Sequence, residues 1–159
     1  MTKKNKLKIY YAWIDSIIRY GIETYGFAKQ VHINTLQRTQ NKILKILFKN
    51  DDDERTCDIF TRTKILNVRQ LRDYCILVNN YYSTKYKIAN VIKTDLLRKT
   101  TYRYEIPKIK NDYGKNTRNY YVPAAFNKVP NSLLGLSSNK LVRKELKNFI
   151  LMKTNEGLF

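Results

Sequence analysis

Cysteine and histidine are scarce in this chain: Cys57 and Cys75 form no CxxC pair, and His32 is the one histidine. A tetrahedral metal site draws on about four nitrogen or sulfur ligands, so no zinc site is expected. Two isolated cysteines read most simply as reduced thiols. The five glycines are scattered and form no phosphate-cradling loop. Long apolar runs are missing too. Asp15 and Arg19 interrupt the stretch that follows the basic start, so neither a signal peptide nor a membrane span is expected. Acid is also in short supply, with 13 acidic side chains against 31 basic ones and a net charge of +18.

The excess of base is spread through the chain. Residues 1–50 carry +8, 51–80 carry −1, 81–110 carry +6 and 111–159 carry +5. Such a field favours polyanions, nucleic acid first and anionic membrane second; part of the lysine excess is also what an AT-rich coding sequence produces. With 43% hydrophobic and 13% aromatic residues in 159, the chain can bury a core, and a single domain over residues 1–159 is expected.

Residues 33–49 carry the clearest pattern. Leu36, Gln40, Ile43, Leu44 and Leu47 recur at the spacing of one helix face. Arg38, Lys42, Lys45 and Lys49 recur with the same period on nearly the opposite side, and no acid lies between Glu23 and Asp51. Asn34 is a candidate N-cap. The last helix, with Ser137 or Ser138 as a candidate cap, repeats the organisation, with Leu141, Val142, Leu146, Phe149 and Met152 on one half of the wheel and Lys140, Arg143, Lys144 and Lys147 on the other. These eight cations are the candidate nucleic-acid-binding residues.

Elsewhere, residues 7–20 read as a first helix through Leu7, Tyr10, Tyr11, Ile14, Ile17 and Ile18, with Tyr25 and Gly26 as a stop. A short helix is expected over 56–63. Asn67 and Gln70 form a capping-box pattern that opens a longer helix over 68–86. Residues 87–101 are ambiguous, with a short helix at 91–97 as one reading. Residues 101–110 alternate like an edge strand that ends near Pro107, residues 112–116 have turn chemistry, and 117–122 could return as the second strand of a hairpin. Pro123 could open a short helix over 124–128. The fold class expected is therefore mainly α, a small helical bundle with a short β-hairpin near residues 101–122.

The order of landmarks resembles a known family. Tyr10-Tyr11, Arg19-Tyr20-Gly21, Tyr25-Gly26, Leu36-Gln37, and the run from Gln40 to Lys45 resemble the segment after the palm of non-LTR (LINE-type) retrotransposon reverse transcriptases. Ile65 to Val68, Tyr113-Gly114-Lys115, the run from Pro123 to Pro130 and a closing lysine-rich helix look like later landmarks of the same region. The resemblance implies a mostly helical thumb and adjoining C-terminal region that grips an RNA–DNA hybrid or duplex, with Arg38, Lys42, Lys45 and Lys49 on backbone phosphates. A palm and fingers polypeptide is an implied partner. The Tyr-x-Asp-Asp signature of such a polymerase does not occur in this chain. No catalytic centre and no cofactor are expected here, since the Mg²⁺ of a full-length enzyme would be held by a palm.

Other readings stay open. One is a stand-alone basic RNA-binding or maturase-like protein stacking bases on the tyrosines at 81, 82, 86, 102 and 104. Another is a nuclease with Asp51, Asp52, Asp53 and Glu54 as metal ligands, and a third is an inert genomic relic. No membrane partner and an intracellular location, nuclear or cytoplasmic, are expected.

Overall fold

The side chain of Thr2 accepts from the backbone N–H of Asn5 and so satisfies one of the orphan donors that open a helix. From there α1 (Lys3–Ile9) runs without a break into a π-helical stretch (Tyr10–Asp15) and on into α2 (Ser16–Arg19). Gly21 ends the rod with φ of +70°, a conformation that strains any residue with a Cβ. After α3 (Ile22–Tyr25), Gly26 is packed so closely that a Cβ would lie 2.3 Å from the carbonyl of Ile22. Then follow α4 (Gln30–Phe48), α5 (Thr56–Thr63) and α6 (Val68–Asn80). The remaining elements are β1 (Val91–Lys93), β2 (Tyr102–Tyr104), α7 (Asp112–Lys115), α8 (Arg118–Phe126), α9 (Asn131–Leu134) and α10 (Asn139–Met152). This computed structural model describes residues 2–48, 54–83, 91–93 and 102–153. It is mainly helical, and it falls into two compact units, one up to Arg72 and one from Asp73 to Met152.

In the first unit Tyr10, Leu44, Phe48, Ile59 and Ile65 form the core, with Leu7, Tyr11, Ile14, Leu47 and Phe60 packed against it. Next to Tyr10 of this set lies the buried amide of Gln40. Its Nε2 donates to the Tyr10 hydroxyl at 2.8 Å and to the Leu66 carbonyl at 2.9 Å, so α4 is tied at one point to the first helix and to the turn before α6. Gln37, three residues earlier, accepts from the backbone N–H of Val68 at 2.9 Å. The capping box forms as expected: Gln70 N–H donates to Asn67 Oδ1 at 2.9 Å and Asn67 N–H to Gln70 Oε1 at 3.1 Å. Arg62 closes the end of α4 by donating to the Phe48 carbonyl at 2.7 Å, while also pairing with Glu54 at 2.8 Å.

The second unit is centred on α8, where Tyr121, Val122, Pro123, Ala124, Ala125 and Phe126 are all buried. The Tyr121 hydroxyl donates to the buried carboxyl of Asp73 at 2.6 Å. Arg118 donates to Asn80 at 2.6 Å, and the Tyr81 hydroxyl reaches the carbonyls of Leu133 and Leu136 at 2.5 and 3.1 Å. The Asn127 amide pairs with both backbone groups of Tyr104 at 2.7 and 2.8 Å. Along α10 the buried line is Val142, Leu146 and Ile150.

Several expectations are corrected. Helix α4 begins at Gln30, four residues before Asn34. Asn34 is therefore no cap; its Oδ1 instead accepts from Gln30 Nε2 at 2.7 Å. The hairpin expected near 101–122 does not form: β2 pairs antiparallel with β1, Tyr104 lying opposite Val91, and residues 118–122 belong to α8. Residues 117–119 are exposed while Tyr121 and Val122 are buried side by side, so the run has no alternating face, and packing overrides the strand preference of Tyr and Val. Pro123 sits inside α8 rather than at its start, and residues 112–115 are a helical turn. Of the 91–97 helix, residues 91–93 are strand and the rest lies outside the described residues, as does the 84–86 end of the expected 68–86 helix. Ile17, Leu141 and Met152, which belong to the apolar stripes read for their helices, are exposed.

Replacing Gln40 with Leu leaves the Leu66 carbonyl and the Tyr10 hydroxyl each short of a partner. It should lower unfolding stability by about 2–4 kcal/mol, given about 1–3 kcal/mol per stranded group, as read by urea denaturation. Burial also pushes the Tyr10 hydroxyl well above its ordinary value of 10.0, against a smaller opposing effect of the Gln40 hydrogen bond. An unfolded chain therefore loses this proton first. The stability is fully present below about pH 10 and falls as pH rises beyond it. Tyr10→Phe should flatten that alkaline decline in a series of denaturation curves.

Candidate nucleic-acid interface

The buried line Ile33, Gln40, Leu44 and Phe48 sets the rotation of α4. With that line inward, Arg38, Lys42 and Lys45 are all exposed on the other side. Steps of four and three residues carry them along a track about 10 Å long at 1.5 Å per residue. Among the described residues none of the three is paired with a carboxylate; the ion pairs of this unit include Arg19 with Asp15, Arg55 with Asp58 and Arg62 with Glu54. Unpaired cations in water keep their full attraction for a polyanion, whereas a paired cation must first give up its partner. Lys49 lies outside the described residues.

On α10, Lys140, Arg143 and Lys144 are exposed, with Arg143 Nε held by Asn139 Oδ1 at 3.0 Å. Lys147 is half-buried. The seven expected cations among the described residues thus fall on two helices of two units.

The flank of the α4 track is polar. Gln37 and Asn41, each one position before a cation of the track, line a recess of about 230 Å³ with Thr56, Cys57, Phe60, Asn67 and Arg69. Gln37 Nε2 donates to Asn41 Oδ1 at 2.8 Å and so orients that amide. None of these recess residues stood out as binding residues in the sequence, because the turn between α5 and α6 that completes the recess lies about thirty positions away. Trp13 was missed as well. It is exposed, and the signal that could have found it is its place with Ile9 and Ile17 at i, i+4 and i+8.

The tyrosines of the base-stacking reading are differently placed. Tyr81 and Tyr104 are buried, and burial pushes both hydroxyls above their ordinary range. Tyr82 is partly exposed, with its hydroxyl on the Ser137 carbonyl at 3.1 Å. Tyr86 and the side chain of Tyr102 lie outside what is described. Of the acidic run, Glu54 is engaged by Arg62, and Asp51, Asp52 and Asp53 are outside the described residues. Among the described residues no three His, Cys, Asp or Glu side chains gather as metal ligands. Nor, among them, is any helix long and apolar enough to cross a membrane.

Because Lys42 and Lys45 are exposed and, among the described residues, meet no carboxylate, Lys42→Glu with Lys45→Glu should leave the far-ultraviolet circular dichroism spectrum unchanged. The denaturation midpoint should move by less than about 1 kcal/mol in stability, as for surface changes away from packed features. No known protein family, no curated protein and no solved structure matches this chain.

Proposed function

We propose that this chain is a non-catalytic nucleic-acid-binding module that grips the sugar–phosphate backbone of an RNA–DNA hybrid or duplex, in the manner of the thumb of a LINE-type reverse transcriptase. The observation that carries this reading is the α4 face: Arg38, Lys42 and Lys45 exposed in line, without carboxylate partners among the described residues, on a helix whose other side is locked in a core. Such a row meets phosphates and positions a duplex without reading its bases. The exposed cations of α10, Lys140, Arg143 and Lys144, would add a second set of phosphate contacts. The order of sequence landmarks supports the thumb comparison, and the +18 charge supports a polyanionic partner.

The alternative of a single-strand binder stacking bases on tyrosines is less well supported, since Tyr81 and Tyr104 are committed to the interior. The test is an anisotropy titration against RNA–DNA hybrid, duplex DNA and single strands across a range of salt. A hybrid or duplex preference is expected, with a log–log salt slope of about −3 to −7, as for roughly four to eight phosphate contacts. Lys42→Glu with Lys45→Glu should weaken binding and make that slope shallower by about 2. Binding that ignores strand type and is untouched by the double reversal would overturn the proposal.

A further inference from the structure

The first helical rod is apolar on two sides. Tyr10 and Ile18 are buried, and Leu7, Tyr11 and Ile14 pack half-buried on the core. On another side Ile9, Trp13 and Ile17, with Tyr20 just past the helix end, stay exposed at 41, 70, 69 and 87%. A helix that is apolar well beyond its core-facing stripe has a second apolar environment to enter, and a row of this length stands apart from scattered surface hydrophobes. The π-helical stretch, with more residues per turn than an α-helix, helps keep residues four apart in line.

What surrounds the row decides its occupant. Lys4, Lys6 and Lys8 lie on the N-terminal end of the same rod, while the Lys3 ammonium donates to the Arg62 carbonyl at 3.1 Å. The one acid in the rod, Asp15, is buried and held by Arg19 at 2.5 Å. A second copy of the chain would bring like charges together. A protein groove is disfavoured because lysine is depleted from such interfaces. Unpaired bases would stack on Trp13 and Tyr20 but gain little from Ile9 and Ile17. A lysine-rich helix with tryptophan, tyrosine and isoleucine on one face matches the chemistry of an anionic lipid surface, where apolar side chains enter the headgroup boundary and lysines meet lipid charges.

We propose that the outer face of the α1–α2 rod docks on anionic membrane surfaces, with Ile9, Trp13, Ile17 and Tyr20 inserted at the interface and Lys4, Lys6 and Lys8 on the headgroups. This surface lies on a different helix from the α4 cations, so it stands or falls independently of the nucleic-acid reading. Trp13 is the one tryptophan in the chain and reports directly.

The experiment mixes the full chain with phosphatidylcholine vesicles, with and without a share of phosphatidylserine, and follows Trp13 emission and its quenching by acrylamide. A blue shift with reduced quenching on the phosphatidylserine vesicles is the expected result. Ile9→Ser with Ile17→Ser removes apolar area at two exposed positions and should weaken vesicle binding tenfold or more. Lys4→Gln with Lys8→Gln should weaken binding to the anionic vesicles only. No shift on either vesicle would overturn the proposal. So would a shift that appears without lipid and grows with protein concentration, which would mark a second copy as the occupant. Quenching by single-stranded RNA with no response to anionic vesicles would assign the face to bases and overturn it too.

Discussion

The amide of Gln40 is placed where an apolar side chain would be expected, yet the first unit depends on it. Buried polar groups need partners: the Gln40 oxygen accepts from Gln37 on the same helix, and its nitrogen donates to other segments, to the hydroxyl of Tyr10, thirty residues before, and the carbonyl of Leu66, twenty-six after. Hydrophobic contact is non-directional and tolerates sliding, whereas two hydrogen bonds from one planar amide fix rotation and height together. With α4 held at that rotation, Leu44 and Phe48 enter the core and Arg38, Lys42 and Lys45 face water. The basic surface follows from the interior arrangement.

Polar ties do comparable work in the second unit. Tyr121 on Asp73, Arg118 on Asn80 and Tyr81 on the carbonyls of Leu133 and Leu136 each join positions far apart in sequence. Tyrosine suits the task because its ring adds apolar area while its hydroxyl reaches a backbone group. A chain rich in tyrosine is therefore not by that token rich in stacking surfaces. The side chain of Asn127 supplies to Tyr104 the two hydrogen bonds that a neighbouring strand would otherwise supply, which gives a short strand a partner on each side.

Two surfaces of the first unit divide the functional reading between them. The α4 face is cationic with a polar recess at its flank, a combination that favours the backbone of a nucleic acid over any particular sequence. The outer face of the first rod is apolar with lysines at one end, a combination that favours a boundary between charge and hydrocarbon. Both draw on the same deficit of acid. Long-range attraction would bring either kind of polyanionic partner near, and the local side chains would decide which face it meets.

Much of the local organisation was legible in the sequence alone. The 56–63 helix, the Asn67–Gln70 capping box and the segregation of apolar and basic residues on α4 each depend on neighbours within a turn or two. Other features were out of reach. The run 117–122 has aromatic and branched residues that suit a strand, but from Arg118 on it is helical, and the buried residues Tyr121 to Phe126 pack that helix into its unit. Ile17 and Leu141 share the apolar stripes read for their helices and Tyr81 was a candidate for base stacking, yet the first two face outward and Tyr81 inward. Periodicity states which residues share a face, because the helix repeat is a local property. Which of two apolar faces meets a neighbour, and which polar group finds a distant partner, depends on packing between remote segments, and only the tertiary structure decided it.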